Sequence, residues 1–153
     1  RLVAELNDHT RFYAQGLGSG GGAESVLCWQ TGYPFAVNLS RGYPRYSPGE
    51  YSANELLARG ETDACVPVGS EAIAALSADA QAALARLPAI VLDDPHAQSA
   101  IPPGVRISTA RYGLHRAGTC YRMDEVPIPL KAVLESPLPD DAEVLQAILA
   151  RLP

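Results

Sequence analysis

The chain has 153 residues, 47% of them hydrophobic, which suits one compact globular domain with a real core. Its formal net charge of −5 argues against a general binder of nucleic acid or membrane surfaces, since such proteins present a basic face. The sequence has neither an apolar run of the roughly 20 residues that span a membrane nor a signal-peptide pattern at its start. We therefore expect a cytoplasmic protein, and the first residue, Arg1 rather than Met, suggests a trimmed or shortened N-terminus.

The cysteines and histidines are too scattered to suggest a metal site. They show no CxxC pair, no HExxH motif and no pair of histidines at helical spacing. The residues concerned are Cys28, Cys65, Cys120, His9, His96 and His115. This pattern predicts unpaired thiols in a reducing compartment and no bound metal.

The first sixty residues predict three helices and one strand. Helices are predicted at 2–15 and 23–31, and a strand at 36–40. Ser52 begins a further helix, because Ser52 and Glu55 have the spacing of a capping box, in which each side chain satisfies a free backbone donor. Gly60 ends it, since glycine adopts the left-handed conformation at little cost.

The remaining residues alternate strands and helices before the pattern changes. Strands are predicted at 63–69, 89–93 and 105–109, with a helix from Ser77 to Leu87 between the first two. Pro67 disturbs the first strand, because proline donates no hydrogen bond to a sheet. A hairpin at 120–123 and 126–130 and a helix from Asp140 to Leu152 follow. The predicted fold is α/β, an open and mostly parallel sheet with helices on both faces, a C-terminal hairpin and a terminal helix.

The glycine-rich stretch at 16–22 contains the spacing of a dinucleotide-binding fingerprint at Gly16, Gly18 and Gly21. The fingerprint normally follows a strand, whereas a helix is predicted here, and a second strand ending in an acidic residue about 20 residues later is missing. A turn between two helices is therefore favoured, while an anion site at the start of the 23–31 helix stays open.

Small and acidic residues follow two of the predicted parallel strands. Gly69 and Ser70 end the first strand, and Asp93 ends the next. Ligands of open α/β sheets bind beyond the carboxyl ends of strands, where a backbone could approach a phosphate and a carboxylate could accept from a ribose hydroxyl or a guanine. The alternative is a plain turn and a solvated acidic loop.

The stretch SRGYPRYSPGEY at 40–51 concentrates arginine, tyrosine and proline. Arg41 and Arg45 flank Tyr43, and guanidinium groups suit carboxylate or phosphate ligands. Alternatively, the arginines pair with acidic neighbours such as Glu50 or Glu55 and the tyrosines pack.

Four blocks of the chain together resemble the B subunits of formylmethanofuran dehydrogenase, a family within the molybdopterin oxidoreductase superfamily. They are WQTGYPFAVNLSRGYPRYSPGE, LLARGETDACVPVGSE, AIVLDDP and AGTCYRMDEVPIPLKAV. The resemblance runs from about residue 6 to residue 151 and implies one α/β domain over 1–153, similar to the C-terminal part of such a protein. The chain resembles the B subunit of the bacterial formyltransferase/hydrolase complex more than that of the redox enzyme, since it lacks a cysteine cluster for an iron–sulfur centre.

The resemblance implies roles for the two residue groups described above. Gly69 and Ser70 match a turn that approaches the guanine-dinucleotide end of a pterin, and Asp93 matches the acidic residue after the next strand. Glu71 and Ala72 depart from the family pattern, which suggests that these contacts are vestigial. Arg41, Tyr43 and Arg45 are then expected in packing and subunit contact.

The resulting expectation is a structural subunit, not catalytic by itself, in a complex that converts formyl-tetrahydromethanopterin to formate through a methanofuran-type carrier. Its partners would be the other subunits, without nucleic acid or membrane, and no cofactor is expected. The alternative is part of a redox-active subunit that binds molybdopterin guanine dinucleotide with tungsten or molybdenum. A small free-standing α/β nucleotide binder is the third possibility.

Overall fold

The computed structural model describes residues 2–11, 21–98, 104–121 and 126–152. The helices are α1 Leu2–Asn7, α2 Gly21–Thr31, α3 Pro48–Tyr51, α4 Ala53–Ala58, α5 Ser70–Ala74, α6 Ala78–Leu84 and α7 Asp141–Leu149. The strands are β1 Val37–Asn38, β2 Arg45–Tyr46, β3 Ile90–Asp93, β4 Val105–Ser108, β5 Gly118–Tyr121 and β6 Pro127–Leu130. This mixture of helices, a parallel strand pair, a C-terminal hairpin and a terminal helix confirms the predicted α/β class. None of the helices in these ranges is long and apolar enough to cross a membrane.

The parallel strands form the centre of the fold. Strands β3 and β4 pair in parallel along their full length. The predicted strand at 63–69 lies on the opposite edge of β3, joined to it by parallel bridges at Cys65 and Val68. Leu92 N donates to the carbonyl of Pro67 at 3.0 Å, but Pro67 has no N–H to return. The proline therefore interrupts the hydrogen-bond ladder, and the segment forms two bridges instead of a continuous strand.

The core lies against this parallel unit. Four large side chains, Leu57 of α4, Ile73 of α5, Leu84 of α6 and Val91 of β3, are each at most 2% exposed. Helix α6 begins as predicted, because the Ser77 hydroxyl accepts from Ala80 N at 3.3 Å. The helix ends at Leu84, earlier than the predicted Leu87.

Helix α4 has the predicted position, but the predicted capping box is wrong. Ser52 is the N-cap residue, yet its hydroxyl makes no bond to a backbone N–H. It donates instead toward the carbonyl of Pro48 and the carboxylate of Glu55. Helix α3 ends directly before Ser52, so the hydroxyl caps the end of one helix rather than the start of the next.

Gly60 ends α4 as predicted, with a φ of 69°. Gly60 N donates to Leu57 O and Glu61 N donates to Leu56 O, each at 3.0 Å. This pair of bonds is a Schellman motif, which satisfies carbonyls that the helix leaves open.

The N-terminal region departs from prediction at several element boundaries. Helix α1 ends at Asn7 instead of continuing through residue 11, and residues 12–15 lie outside the described ranges. Helix α2 includes Gly21 and Gly22, whereas the rest of the glycine-rich stretch lies outside the described ranges. The strand predicted at 36–40 is only Val37–Asn38, and it pairs antiparallel with an unpredicted strand, Arg45–Tyr46.

The C-terminal part confirms the predicted hairpin and helix. Strands β5 and β6 pair antiparallel, with residues 122–125 outside the described ranges. Asp140 and Glu143 form a capping box: Glu143 N donates to Asp140 Oδ1 at 2.8 Å, and Asp140 N donates to Glu143 Oε2 at 2.9 Å. The helix ends at Leu149 rather than 152, and its apolar stripe is largely exposed: Val144 is buried, but Leu149 is 68% exposed.

Candidate functional site

The structure brings together the three residues predicted at the carboxyl ends of the parallel strands. Gly69 has a φ of 85°, a conformation that glycine adopts without steric cost, and it turns the chain into α5. Ser70 is the first residue of that helix, and Asp93 is the last residue of β3. Ser70 N donates to Asp93 Oδ2 at 3.0 Å, so these strand ends are tied directly.

The carboxylate of Asp93 is already engaged by the chain itself. The residue is only 8% exposed. Its Oδ1 accepts from Asp94 N at 2.9 Å, and Arg106 Nη2 lies 3.8 Å from its Oδ2. A carboxylate meant to accept from a guanine or ribose would present an accessible oxygen. The Asp93 carboxylate therefore suits an internal tie between strands better than it suits the binding of a guanine or a ribose.

Two arginines that the sequence analysis did not single out, Arg106 and Arg111, lie beside this tie. Arg106 Nη2 donates to the carbonyl of Asp94 at 3.0 Å, and Arg111 Nε lies 3.4 Å from Asp94 Oδ2. The pKa of Asp94 is lowered, chiefly because its carboxylate accepts a hydrogen bond from His96 N, and further by the charge of Arg111. Arg106 could have been found from the sequence, because it lies on the predicted strand that follows the one ending at Asp93. Adjacent parallel strands bring side chains at these positions close together.

The arginine-rich loop divides its residues between inside and outside. Arg45 donates from Nη1 to the Tyr51 hydroxyl at 2.8 Å and from Nη2 to Ser40 Oγ at 3.2 Å. Its guanidinium carbon also lies 4.9 Å from the centre of the Tyr51 ring. Arg41 and Tyr43 are exposed. Arg45 thus holds the loop together, while Arg41 and Tyr43 are presented to solvent.

The alternative pairing of these arginines with acidic neighbours is wrong for Arg45. Its partners are neutral hydroxyls rather than Glu50 or Glu55. Glu55 interacts with Ser52, which lowers the pKa of the Glu55 carboxyl. The backbone carbonyl of Glu50 accepts from Arg59 Nη2 at 2.6 Å.

Beside the arginines, apolar side chains are exposed on the β1–β2 hairpin and on the segment that leads into it. The rings of Tyr33 and Tyr46 stack at 4.9 Å, and Phe35 meets Tyr46 edge-on at 5.8 Å. Leu39 and Tyr43 at the turn are 57% and 53% exposed, and Phe35 is 45% exposed. We call these five residues the hairpin surface. Stacked, preordered aromatic rings that remain exposed are typical of a binding surface.

The three thiols are unpaired, as predicted. Burial raises the pKa of the Cys65 thiol, which makes it a poor nucleophile at neutral pH. Within the described ranges, no three His, Cys, Asp or Glu side chains come together in a group that could hold a metal ion.

Comparison with known proteins confirms the resemblance seen in the sequence blocks. The B subunit of tungsten-containing formylmethanofuran dehydrogenase 2 from Methanococcus maripaludis is 36% identical over 157 residues, covering 99% of this chain and 36% of the relative. The B subunit of the enzyme of that name from Methanocaldococcus jannaschii is 39% identical over 158 residues, with the same coverage. No family model matches the chain.

A solved structure shares the fold. It is a chain in the X-ray crystal structure of the formyltransferase/hydrolase complex from Methylorubrum extorquens in complex with methylofuran. The TM-score is 0.75 at 27% identity, covering 98% of this chain and 42% of that chain. Formylmethanofuran dehydrogenase and the formyltransferase/hydrolase complex are therefore both represented among the relatives.

The chain spans 36% of the length of the curated relatives that it matches. Within that part, sequence and fold agree over nearly all of the chain's residues. The region that the chain spans is similar to part of the formylmethanofuran dehydrogenase B subunits and to part of a chain of the formyltransferase/hydrolase complex.

Proposed function

We propose that this chain is a non-catalytic structural part of a formyltransferase/hydrolase complex, which converts formyl-tetrahydromethanopterin to formate through a methanofuran-type carrier. The observation that supports this most is the hairpin surface, where five large apolar or aromatic side chains are at least 36% exposed. Such an ordered apolar surface would be costly to leave in water, and association with a partner protein removes that cost. We expect the complex to be cytoplasmic.

The two groups of predicted site residues have different parts in this proposal. Arg41 and Tyr43 contact a partner subunit, and Arg45 holds the loop that presents them. Gly69, Ser70 and Asp93 are vestigial cofactor positions. The use of the Asp93 carboxylate by Ser70 and Asp94 supports this, because a group committed to the fold is a poor ligand.

Assembly in the native cell tests the proposal. A tagged chain should copurify with the other subunits of the complex, and Tyr43→Ser should reduce their recovery. Tyr121→Ser is the matched control, since Tyr121 is 41% exposed on β5, outside the hairpin surface. Equal recovery with both variants, or recovery of the chain alone, would contradict the proposed contact.

Both curated relatives are named as tungsten-containing, which favours a second candidate. In this candidate, the chain is part of a redox-active subunit that holds tungsten or molybdenum on a pterin. Metal analysis of the native preparation, together with fluorescence of the oxidised pterin, separates the two candidates. Near one equivalent of either metal supports the redox candidate and contradicts the structural one.

A further inference from the structure

An open cleft of about 530 Å³ lies between the turn at 113–116 and the segment at 132–137. Its walls are fixed by the backbone. Val133 N and Leu134 N both donate to the carbonyl of Leu114 at 2.9 Å, and Gly113 N donates to Arg116 O at 2.8 Å. A volume in this range is typical of a site for a small molecule. The cleft is therefore an ordered surface feature with room for a ligand.

His115 has one ring nitrogen that can act as a hydrogen-bond donor. It lines the cleft, and its Nδ1 accepts from Arg111 N at 3.2 Å. Because a backbone N–H can only donate, the proton of the neutral ring must be on Nε2. The other nitrogen of His115 is consequently an N–H donor whether the ring is neutral or protonated.

Arg116 and Ser136 add two further donor groups. Arg116 is anchored through one nitrogen, since Nη2 donates to Leu138 O at 2.9 Å and lies 3.8 Å from Glu143 Oε2. The Ser136 hydroxyl oxygen accepts from Leu138 N at 3.2 Å, so its hydrogen is available to another acceptor. Three donor groups on one cleft call for an acceptor with several lone pairs, such as a carboxylate.

The other lining residues limit the charge and shape of the ligand. Leu134 and Pro137 provide apolar wall. Glu135 also lines the cleft, and Glu143 lies beside Arg116. These carboxylates repel a multiply charged anion such as a pyrophosphate more strongly than a single negative charge. The lining thus disfavours a multiply charged anion and offers wall for an apolar body.

We propose that this cleft binds a monocarboxylate with an apolar body. The carboxylate accepts from His115, Arg116 and Ser136, while the body lies on Leu134 and Pro137. The site is separate from the hairpin surface, so it stands or falls independently of the proposed place of the chain in a complex.

Titration of the full chain with 3-phenylpropionate, followed by isothermal calorimetry, tests the proposal. We expect a Kd on the order of 1 mM, as suits a ligand of this size. The neutral 3-phenylpropanamide should bind at least tenfold more weakly, because its amide offers fewer acceptors and no charge. Equal affinity for the amide, or tighter binding of inorganic phosphate, would overturn the assignment.

Two substitutions move the affinity in opposite directions, which a general loss of folding could not do. Arg116→Gln should weaken binding about tenfold, the loss of one charged hydrogen bond. Glu135→Gln should strengthen it about twofold by removing a repulsive charge from an exposed position. Glu71→Gln, an exposed change on α5, is the control and should leave the Kd unchanged. If Glu135→Gln and Glu71→Gln have the same Kd, the ligand carboxylate does not lie in this cleft.

Discussion

The edge of the parallel strands and the β1–β2 hairpin use polar and apolar groups in opposite ways. At the strand edge, the Asp93 carboxylate is buried and its hydrogen bonds go to the chain's own backbone. At the hairpin, polar contacts hold the loop from inside, while stacked aromatic rings are left exposed. The first region completes its interactions by itself, and the second presents ordered apolar surface. This contrast is why we propose a role in folding for the first region and a role in partner contact for the second.

The same contrast bears on the cofactor. A cofactor site is expected to keep polar groups accessible and poised for a ligand. The strand edge has the right residue types, but it uses its acidic oxygens within the fold. Residue identity alone does not show whether a carboxylate is free to bind a ligand or is already bonded within the fold.

The largest effect should come from the same substitution made in the core and on the hairpin surface. Leu57→Ala removes a side chain that is 2% exposed and should lower the free energy of unfolding by about 2–5 kcal/mol. Leu39→Ala on the hairpin surface, where the residue is 57% exposed, should change it by less than about 0.5 kcal/mol. Urea unfolding of both variants measures the difference. Similar losses would mean that the hairpin surface is part of the core.

Loss of the Asp93 carboxylate should have the next largest effect. Asp93→Ala leaves Ser70 N and Asp94 N without their partner, so we expect a loss of about 1–3 kcal/mol in the free energy of unfolding. Asp93→Asn keeps one acceptor oxygen and should lose less. Asp63→Ala, at an exposed position, is the control. No loss with Asp93→Ala would argue that the carboxylate is held for a ligand rather than for the fold.

Replacing each arginine of the loop by lysine should separate their roles. Arg45→Lys keeps the charge but cannot reach both Tyr51 and Ser40 as the guanidinium does, so stability should fall by about 1 kcal/mol. Arg41→Lys should change stability by less than about 0.5 kcal/mol, since the residue is exposed. Thermal unfolding compares the two. If Arg41→Lys is the more destabilising, the inside and outside assignments are reversed.

Prediction from the sequence was best where one local rule decided the outcome. The caps at Ser77 and Asp140 and the stop at Gly60 were predicted correctly, because each depends on residues within one helical turn. The carboxyl edge was also located correctly. Strand order in a parallel unit brings Ser70 and Asp93 together whatever their detailed contacts are.

The wrong predictions have a common physical cause. In each case, a side chain bonds to a group outside the local pattern from which its partner was predicted. Ser52 had the spacing of a capping box, but the end of α3 just before it offered another acceptor. Arg45 had acidic residues nearby in sequence, yet the hairpin placed hydroxyls and a ring within its reach. The short strand at Arg45–Tyr46 was missed because its pairing with Val37–Asn38 depends on the intervening turn.

The smallest effect concerns the charges around the strand edge and depends on pH. The pKa of Asp94 is lowered in the folded state, so its charged form stabilises the fold at pH values above its unfolded pKa. That contribution is lost as the pH falls through the lower, folded pKa. The stability difference between the native chain and Asp94→Asn should therefore be full near neutral pH and disappear in strong acid, as thermal unfolding across this range would show. Arg111→Gln should remove only the smaller part of the difference, because the hydrogen bond from His96 N is the main cause of the shift. If Arg111→Gln lowers the stability as much as Asp94→Asn does, the ion pair between Arg111 and Asp94 is the main contribution. The stability of the strand edge would then depend on surface charge rather than on its internal hydrogen bonds.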